Sequence, residues 1–283
     1  MYKPPGCFSL NELKTLPQIR LGIQGYGGTG KTWAALTFPN PVVANLDRGL
    51  GAHLGRGDVI EVPFYDPAFC RSQMANPAMP YFPHYLKDVL YRWLEKEAPK
   101  LSPEQTLVWD GGTGMQNAFH KWYSKNLVIV NGEENMFAQW DLKKKFYADV
   151  IEMLKTLPCH VVMLFHEAEK KDKDGEYRGK IRPLLTGSFG DELMSHFSDW
   201  FRQHAMDKPA DVSKMSPAEL NKYGMTPTEF KAFMDTTPRN TYYVWQTESD
   251  SAFDGKCSSL VNYPRFVPAN FSIFEKYRRK IST

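Results

Sequence analysis

Gly25-Tyr26-Gly27-Gly28-Thr29-Gly30-Lys31-Thr32 follows an apolar run, Ile19 to Gln24, and precedes a helix-compatible Trp33-Ala34-Ala35-Leu36. The spacing is G-x-x-x-x-G-K-[ST], and the strand–loop–helix setting is what gives that pattern its meaning. Glycines let successive backbone N–H groups turn inward around a polyphosphate without interference from Cβ atoms. The N-terminus of the following helix is expected to add its dipole. Gly25, Gly27, Gly28, Thr29, Gly30 and Trp33 then form the cradle. Lys31 reaches the β- and γ-phosphates, and Thr32 offers its hydroxyl to Mg2+. A glycine-rich turn without a ligand is the plain alternative. The complete motif in its setting points instead to a bound nucleoside triphosphate with magnesium.

Outward from this loop, Val42 to Leu46 reads as a second strand closed by Asp47-Arg48-Gly49, and Val59 to Phe64 as a third. Residues 66–83, rich in Pro, Met and Asn, read as an irregular excursion. Tyr85 to Glu97 is helical by composition. Thr106 to Trp109 is a short apolar run that delivers Asp110 and then Gly111-Gly112, the pattern of a buried parallel strand with an acid at its C-terminal end. A helix is expected around Met115 to Ser124. A longer one covers about 136–157, where Tyr147, Val150, Ile151, Leu154 and Leu157 recur at helical spacing and Pro158 stops it.

His160 to Phe165 is the next strand, ending at His166; Phe197 to Phe201 and Tyr242 to Gln246 are further strands, and Phe271 to Lys280 a closing helix. Ser216-Pro217-Ala218-Glu219 and Thr226-Pro227-Thr228-Glu229 each place Pro after a capping hydroxyl and Glu at the third helical position. They predict a small helical insertion over about 207–238. Strands alternating with helices predict an α/β fold with a mostly parallel sheet covered on both faces. One domain over 1–283 is expected, with a short N-terminal extension, 1–17.

A chain of 283 residues with 42% hydrophobic content can bury a sizeable core, and a formal net charge of +3 announces no nucleic-acid partner by itself. Cys7, Cys70, Cys159 and Cys257 are scattered singly, which argues against thiolate metal sites and for a reducing compartment. No apolar stretch approaches membrane-spanning length, and the first residues lack a signal-peptide core. A soluble cytoplasmic protein with no membrane partner is expected.

In an open parallel sheet, ligands bind outside the carboxyl ends of the strands, and Gly25, Asp47, Asp110 and His166 all fall at such ends. Asp110 is the natural magnesium carboxylate, since an acid ending an apolar strand is rarely there for packing. Asp47 either serves ordinary turn chemistry or acts as a general base that orients water on the γ-phosphate. His166 is either a satisfied polar residue or a group that bonds the γ-phosphate and reports it to the loop that follows.

With these residues in hand, the chain resembles the RecA-like ATPases, and among them the phage-encoded RecA-core ATPases associated with single-strand annealing. The resemblance runs from about 17 to 275. It rests on the phosphate loop, Ala44-Asn45-Leu46-Asp47-Arg48-Gly49, Leu107-Val108-Trp109-Asp110-Gly111-Gly112-Thr113, Gln139-Trp140-Asp141, Val161 to Glu167, and Pro183-Leu184-Leu185-Thr186-Gly187-Ser188. It implies that the nucleotide is ATP, that Asp47 activates water, where RecA itself carries Glu, and that His166 is the counterpart of a sensor glutamine. It also implies a homo-oligomer, ring or filament, in which a basic residue reaches the neighbouring subunit's nucleotide. Lys256, in Asp254-Gly255-Lys256-Cys257-Ser258, is the candidate, with a plain solvated lysine as the alternative.

The segment after His166 carries Lys170, Lys171, Lys173, Arg178, Lys180 and Arg182, interleaved with Asp172, Asp174 and Glu176. A mixed run is often only a solvated surface. The resemblance makes it the single-stranded-DNA segment, with Tyr177 and Phe189 as stacking platforms and a single-strand-binding or annealing protein as a further partner. Two other functions stay open: a P-loop kinase or GTPase acting on a small molecule, and an ATP-switched loading module with little turnover. Against the GTPase, Asn221-Lys222-Tyr223-Gly224 fails the N-K-x-D guanine motif at its last position.

Overall fold

The computed structural model describes residues 18–74, 85–125, 129–130, 133–168, 181–185, 189–236, 240–260 and 262–278. The first elements in chain order are β1 (Arg20–Gly25), α1 (Lys31–Ala35), β2 (Pro41–Asn45), β3 (Ile60–Pro63), α2 (Pro67–Ser72) and α3 (Leu86–Lys96). Then come β4 (Thr106–Asp110), α4 (Gly112–Lys125), the short pair β5 (Ile129–Val130) and β6 (Glu133–Glu134), α5 (Met136–Thr156) and β7 (His160–Ala168). After these follow β8 (Arg182–Pro183), α6 (Phe189–Glu192), β9 (Asp199–Asp207), α7 (Pro217–Asn221) and α8 (Pro227–Asp235). The chain closes with β10 (Thr241–Gln246), β11 (Lys256–Cys257), β12 (Phe266–Pro268) and α9 (Phe271–Arg278).

One sheet organises all of this, in the order β12-β10-β9-β1-β7-β4-β2-β3, with β8 added to β7 and β11 to β9. Every pairing from β9 across to β3 is parallel, while β10 runs antiparallel to β9 and β12 antiparallel to β10. Strand β7, late in sequence, is inserted between β1 and β4. In register it sets His166 beside Gly25 and Leu164 beside Asp110, and Asp110 in turn lies beside Asn45 of β2. The strand ends that carry polar residues are therefore level with one another.

Alternate residues of a strand leave the sheet on opposite faces, and both faces here are covered. On one, Leu107, Trp109, Val161, Met163, Phe165 and Trp200 pack against Trp93 of α3, Phe119 of α4 and Tyr147 and Ile151 of α5. On the other, Leu21, Ile23, Val43, Val108, Val162 and Leu164 pack against Ala34 and Ala35 of α1 and Phe274 of α9. The expected insertion is a pair of helices joining the antiparallel neighbours β9 and β10. Both of its capping boxes are formed, by Ser216 with Glu219 and by Thr226 with Glu229. It buries Leu220, Phe230, Phe233 and Met234 against Tyr242 and Val244 of β10.

Four expectations need correcting. Phe189 is no open stacking platform, since it is buried in the core against Tyr147 at 4.8 Å between ring centroids. Residues 66–83 are not irregular throughout: Asp66 caps the helix α2, accepting from the Ala68 N–H at 2.8 Å, with Pro67 at its first position. Residues 75–84 lie outside the described residues. The helix after the phosphate loop has only five residues, so its dipole is weak. And β7 does not end at His166 but continues to Ala168, because Glu167 and Ala168 pair with β8. Among the described residues, no helix is long and apolar enough to cross a membrane.

Candidate active site

The phosphate loop is shaped by two residues in the left-handed region, Gly28 at φ +79° and Gly30 at φ +76°. It is also pinned from the sheet. A Cβ on Gly30 would stand 2.6 Å from the ring of Tyr243 on β10. Buried Gln203 of β9 donates to the Thr29 carbonyl at 2.9 Å and accepts from Trp245 Nε1 at 2.9 Å. Inside the loop, Lys31 Nζ donates to the carbonyls of Gly25 and Tyr26, each at 2.8 Å. Burial pulls its amine from 10.5 down to about 8, against the upward pull of Asp110, Glu167 and Asp47. With α1 so short, attraction for a triphosphate falls to the loop amides and to this lysine.

Below the loop, Thr32 Oγ1 donates to Asp110 Oδ2 at 2.9 Å. Burial raises the Asp110 carboxyl from 3.8 to about 6; Asp47 adds to the rise, while the Thr32 hydrogen bond and Lys31 oppose it. A hydroxyl beside one carboxylate is the protein half of a magnesium site, the rest coming from phosphate oxygens and water. Among the described residues no group of three or more His, Cys, Asp or Glu side chains is arranged to hold a metal unaided. The donor set therefore fits a metal that arrives with its nucleotide. Such an ion neutralises phosphate charge when bound.

Across from this pair, His166 Nε2 lies 3.9 Å from Asp47 Oδ2. Burial lowers the imidazole below its usual value, helped by Lys31 and opposed by Asp47, which favours the neutral ring. Burial raises the Asp47 carboxyl, with His166 and Lys31 pulling it back. Lys31, Thr32, Trp33, Asp47, Asp110 and His166 all line one cavity of about 540 Å³, a size usual for a small-molecule site. Gly28 and Gly30 line it too, whereas Gly25, Gly27 and Thr29 belong to the loop without lining the cavity.

Lys256 is not brought into this cavity. Its amine donates to the Phe197 carbonyl at 2.6 Å and reaches that of Ser195 at 3.4 Å, tying β11 to the turn before β9. Lys170, Lys171, Lys173, Tyr177, Arg178 and Lys180 lie outside the described residues. Arg182 is described, a third exposed and 3.6 Å from Asp254. The sequence reading missed Gln203, Tyr243 and the cavity residues His53 and Arg56. A polar Arg202-Gln203 pair inside an aromatic strand was the signal for the first. Nothing local marks the others.

A mostly parallel sheet carrying this loop, with an acid on β4 and a polar group on the strand between, defines a P-loop nucleoside triphosphatase. The sequence profile of the AAA domain family matches residues 18–256, and the chain belongs to that family: it carries a P-loop, AAA-type ATPase domain. No curated protein matches the chain in sequence. Among solved structures, it is similar to the assembled ATPase EscN of the enteropathogenic E. coli type III secretion system, at 11% identity and a TM-score of 0.33, covering 66% of this chain and 43% of that one. It is also similar to EscN in complex with its central stalk EscO, at 11% identity and a TM-score of 0.34, covering 77% and 53%. The chain thus spans about half the length of these structures.

Proposed function

We propose that this ATPase domain hydrolyses ATP with magnesium and couples that cycle to single-stranded DNA, in recombination or strand annealing of the kind phages encode. The observation that carries the hydrolytic half is the meeting, around one cavity, of the Thr32–Asp110 pair, Lys31, Asp47 and His166. Asp47 holds the water that attacks the γ-phosphate, and Asp110 with Thr32 holds the metal.

The DNA half rests on connectivity. The Leu184 N–H donates to the His166 carbonyl at 2.6 Å, and β8 pairs with the end of β7. These bonds tie the end of β7 to residues that flank the basic segment in sequence, which supports His166 as the link between γ-phosphate and that segment. Oligomerisation belongs to the same proposal, and Lys256 would have to leave the Phe197 and Ser195 carbonyls to reach a neighbour's nucleotide.

Phosphate release with and without single-stranded DNA tests it, alongside DNA affinity with a non-hydrolysable ATP analogue against ADP. Stimulation by DNA and tighter binding in the ATP-like state are expected. Equal affinities in the two states would remove the coupling, and an unstimulated rate would remove DNA as the partner.

A further inference from the structure

Asp47 enters the cavity from the turn after β2, and the surface it lies against is the first turn of α4. A Cβ on Gly114 would stand 2.4 Å from Asp47 Oδ1, and one on Gly111 would stand 2.9 Å from both carboxylate oxygens. The carboxylate thus fills space that any side chain at these positions would take. At Gly111 the backbone also demands glycine, with φ +111°. At Gly114 it does not: the residue sits inside a 14-residue helix, where glycine is less stable than alanine by about 0.5–1 kcal/mol. The other close neighbour is Leu46 Cβ, at an ordinary 3.4 Å. The close approach of Asp47 is what glycine at 114 makes possible.

We propose that Gly111 and Gly114 are positioning residues that seat the Asp47 carboxylate against the start of α4, beside His166. The stretch Asp110-Gly111-Gly112-Thr113-Gly114 then does two jobs: it carries the metal acid and it sets where the water-orienting acid stands. Helix amides at that end favour a negative group, and the helix is held there by the buried Tyr147 hydroxyl, which donates to the Gly112 carbonyl at 2.8 Å. The proposal rests on the hydrolytic reading of Asp47.

The decisive variant is Gly114→Ala, because the atom in its way is the tip of a flexible side chain and the fold is not at risk. It should melt at or above the wild-type temperature and bind ATP within about twofold. Hydrolysis should slow by up to about 100-fold, the order expected when a catalytic group is displaced by an ångström. The His166 titration, followed by NMR and assigned with His166→Gln, should move. In an Asp47→Ala background, Gly114→Ala should change neither the rate nor the titration.

A Gly114→Ala protein with wild-type hydrolysis and an unmoved His166 titration overturns the seat. So does one that is equally impaired whether or not Asp47 is present. If Asp47→Ala itself hydrolyses ATP at the wild-type rate, the water-orienting role falls instead, and the His166 titration of Gly114→Ala alone decides the seat.

Discussion

His166 and Glu167 are consecutive residues of β7 that leave the sheet on opposite faces, into two charged clusters built on opposite rules. Behind the sheet, the Glu167 carboxylate is buried and fully engaged. Arg202 meets it through Nε at 3.1–3.2 Å and Nη2 at 2.9 Å. Gln24 Nε2 approaches it at 3.4 Å, while Gln24 Oε1 accepts from Trp200 Nε1 at 2.9 Å. In front, Lys31, Asp47, Asp110 and His166 share a cavity without pairing to one another at comparable range, and burial drives each toward its neutral form. The rear cluster is complete as it stands. The front one is left without such pairing, and clustered perturbed groups of this sort mark functional sites.

The contrast breaks most directly at Arg202. Arg202→Ala leaves Glu167 buried without its partner, and a loss of about 3–5 kcal/mol in unfolding free energy is expected, read by denaturant titration. A loss below about 1 kcal/mol would mean the rear charges are not held as a pair.

Asp110→Asn should act in the opposite direction. A carboxyl raised from 3.8 to about 6 in the fold binds protons more readily folded than unfolded. Its contribution is therefore complete below about pH 4 and lost as pH rises through about 6. Removing the charge should stabilise the nucleotide-free protein by on the order of 2–3 kcal/mol at pH 7, with no gain at pH 4. The same variant should lose the thermal shift produced by magnesium and ATP. Equal stability at both pH values, or destabilisation at pH 7, would show that the front carboxylate is already compensated.

A smaller effect should distinguish both clusters from the helical insertion. Thr226→Ala removes the hydroxyl that caps α8, accepting from the Glu229 N–H at 3.2 Å, and should cost about 1 kcal/mol with ATP binding unchanged. A change in nucleotide affinity would join the insertion to the site.

Much of the front cluster was readable because its members are marked locally: a spaced glycine loop, an acid at the end of Thr106 to Trp109, and a histidine after five apolar residues. The capping boxes were readable for the same reason, since hydroxyl, Pro and Glu stand within four residues. The rear cluster was not. Gln24, Glu167, Trp200 and Arg202 come from three strands, and no short pattern joins a glutamine at the end of an apolar run to an arginine 178 positions later. Gln203 carried a local polar signal beside Arg202, but nothing local joined it to the loop it pins from 174 residues away.

Sequence alone determined the phosphate loop, the alternation of strands and helices, and the chemistry each candidate residue brings, because those depend on neighbours along the chain. Only the tertiary structure decided which polar strand residues face the cavity and which are paired behind it. It alone placed Asp47 on the bare first turn of α4 and left Lys256 against the carbonyls of Phe197 and Ser195. These outcomes turn on strand order and register: inserting β7 between β1 and β4 puts His166 level with the loop, and the two-residue period of the strand then sends Glu167 to the other side.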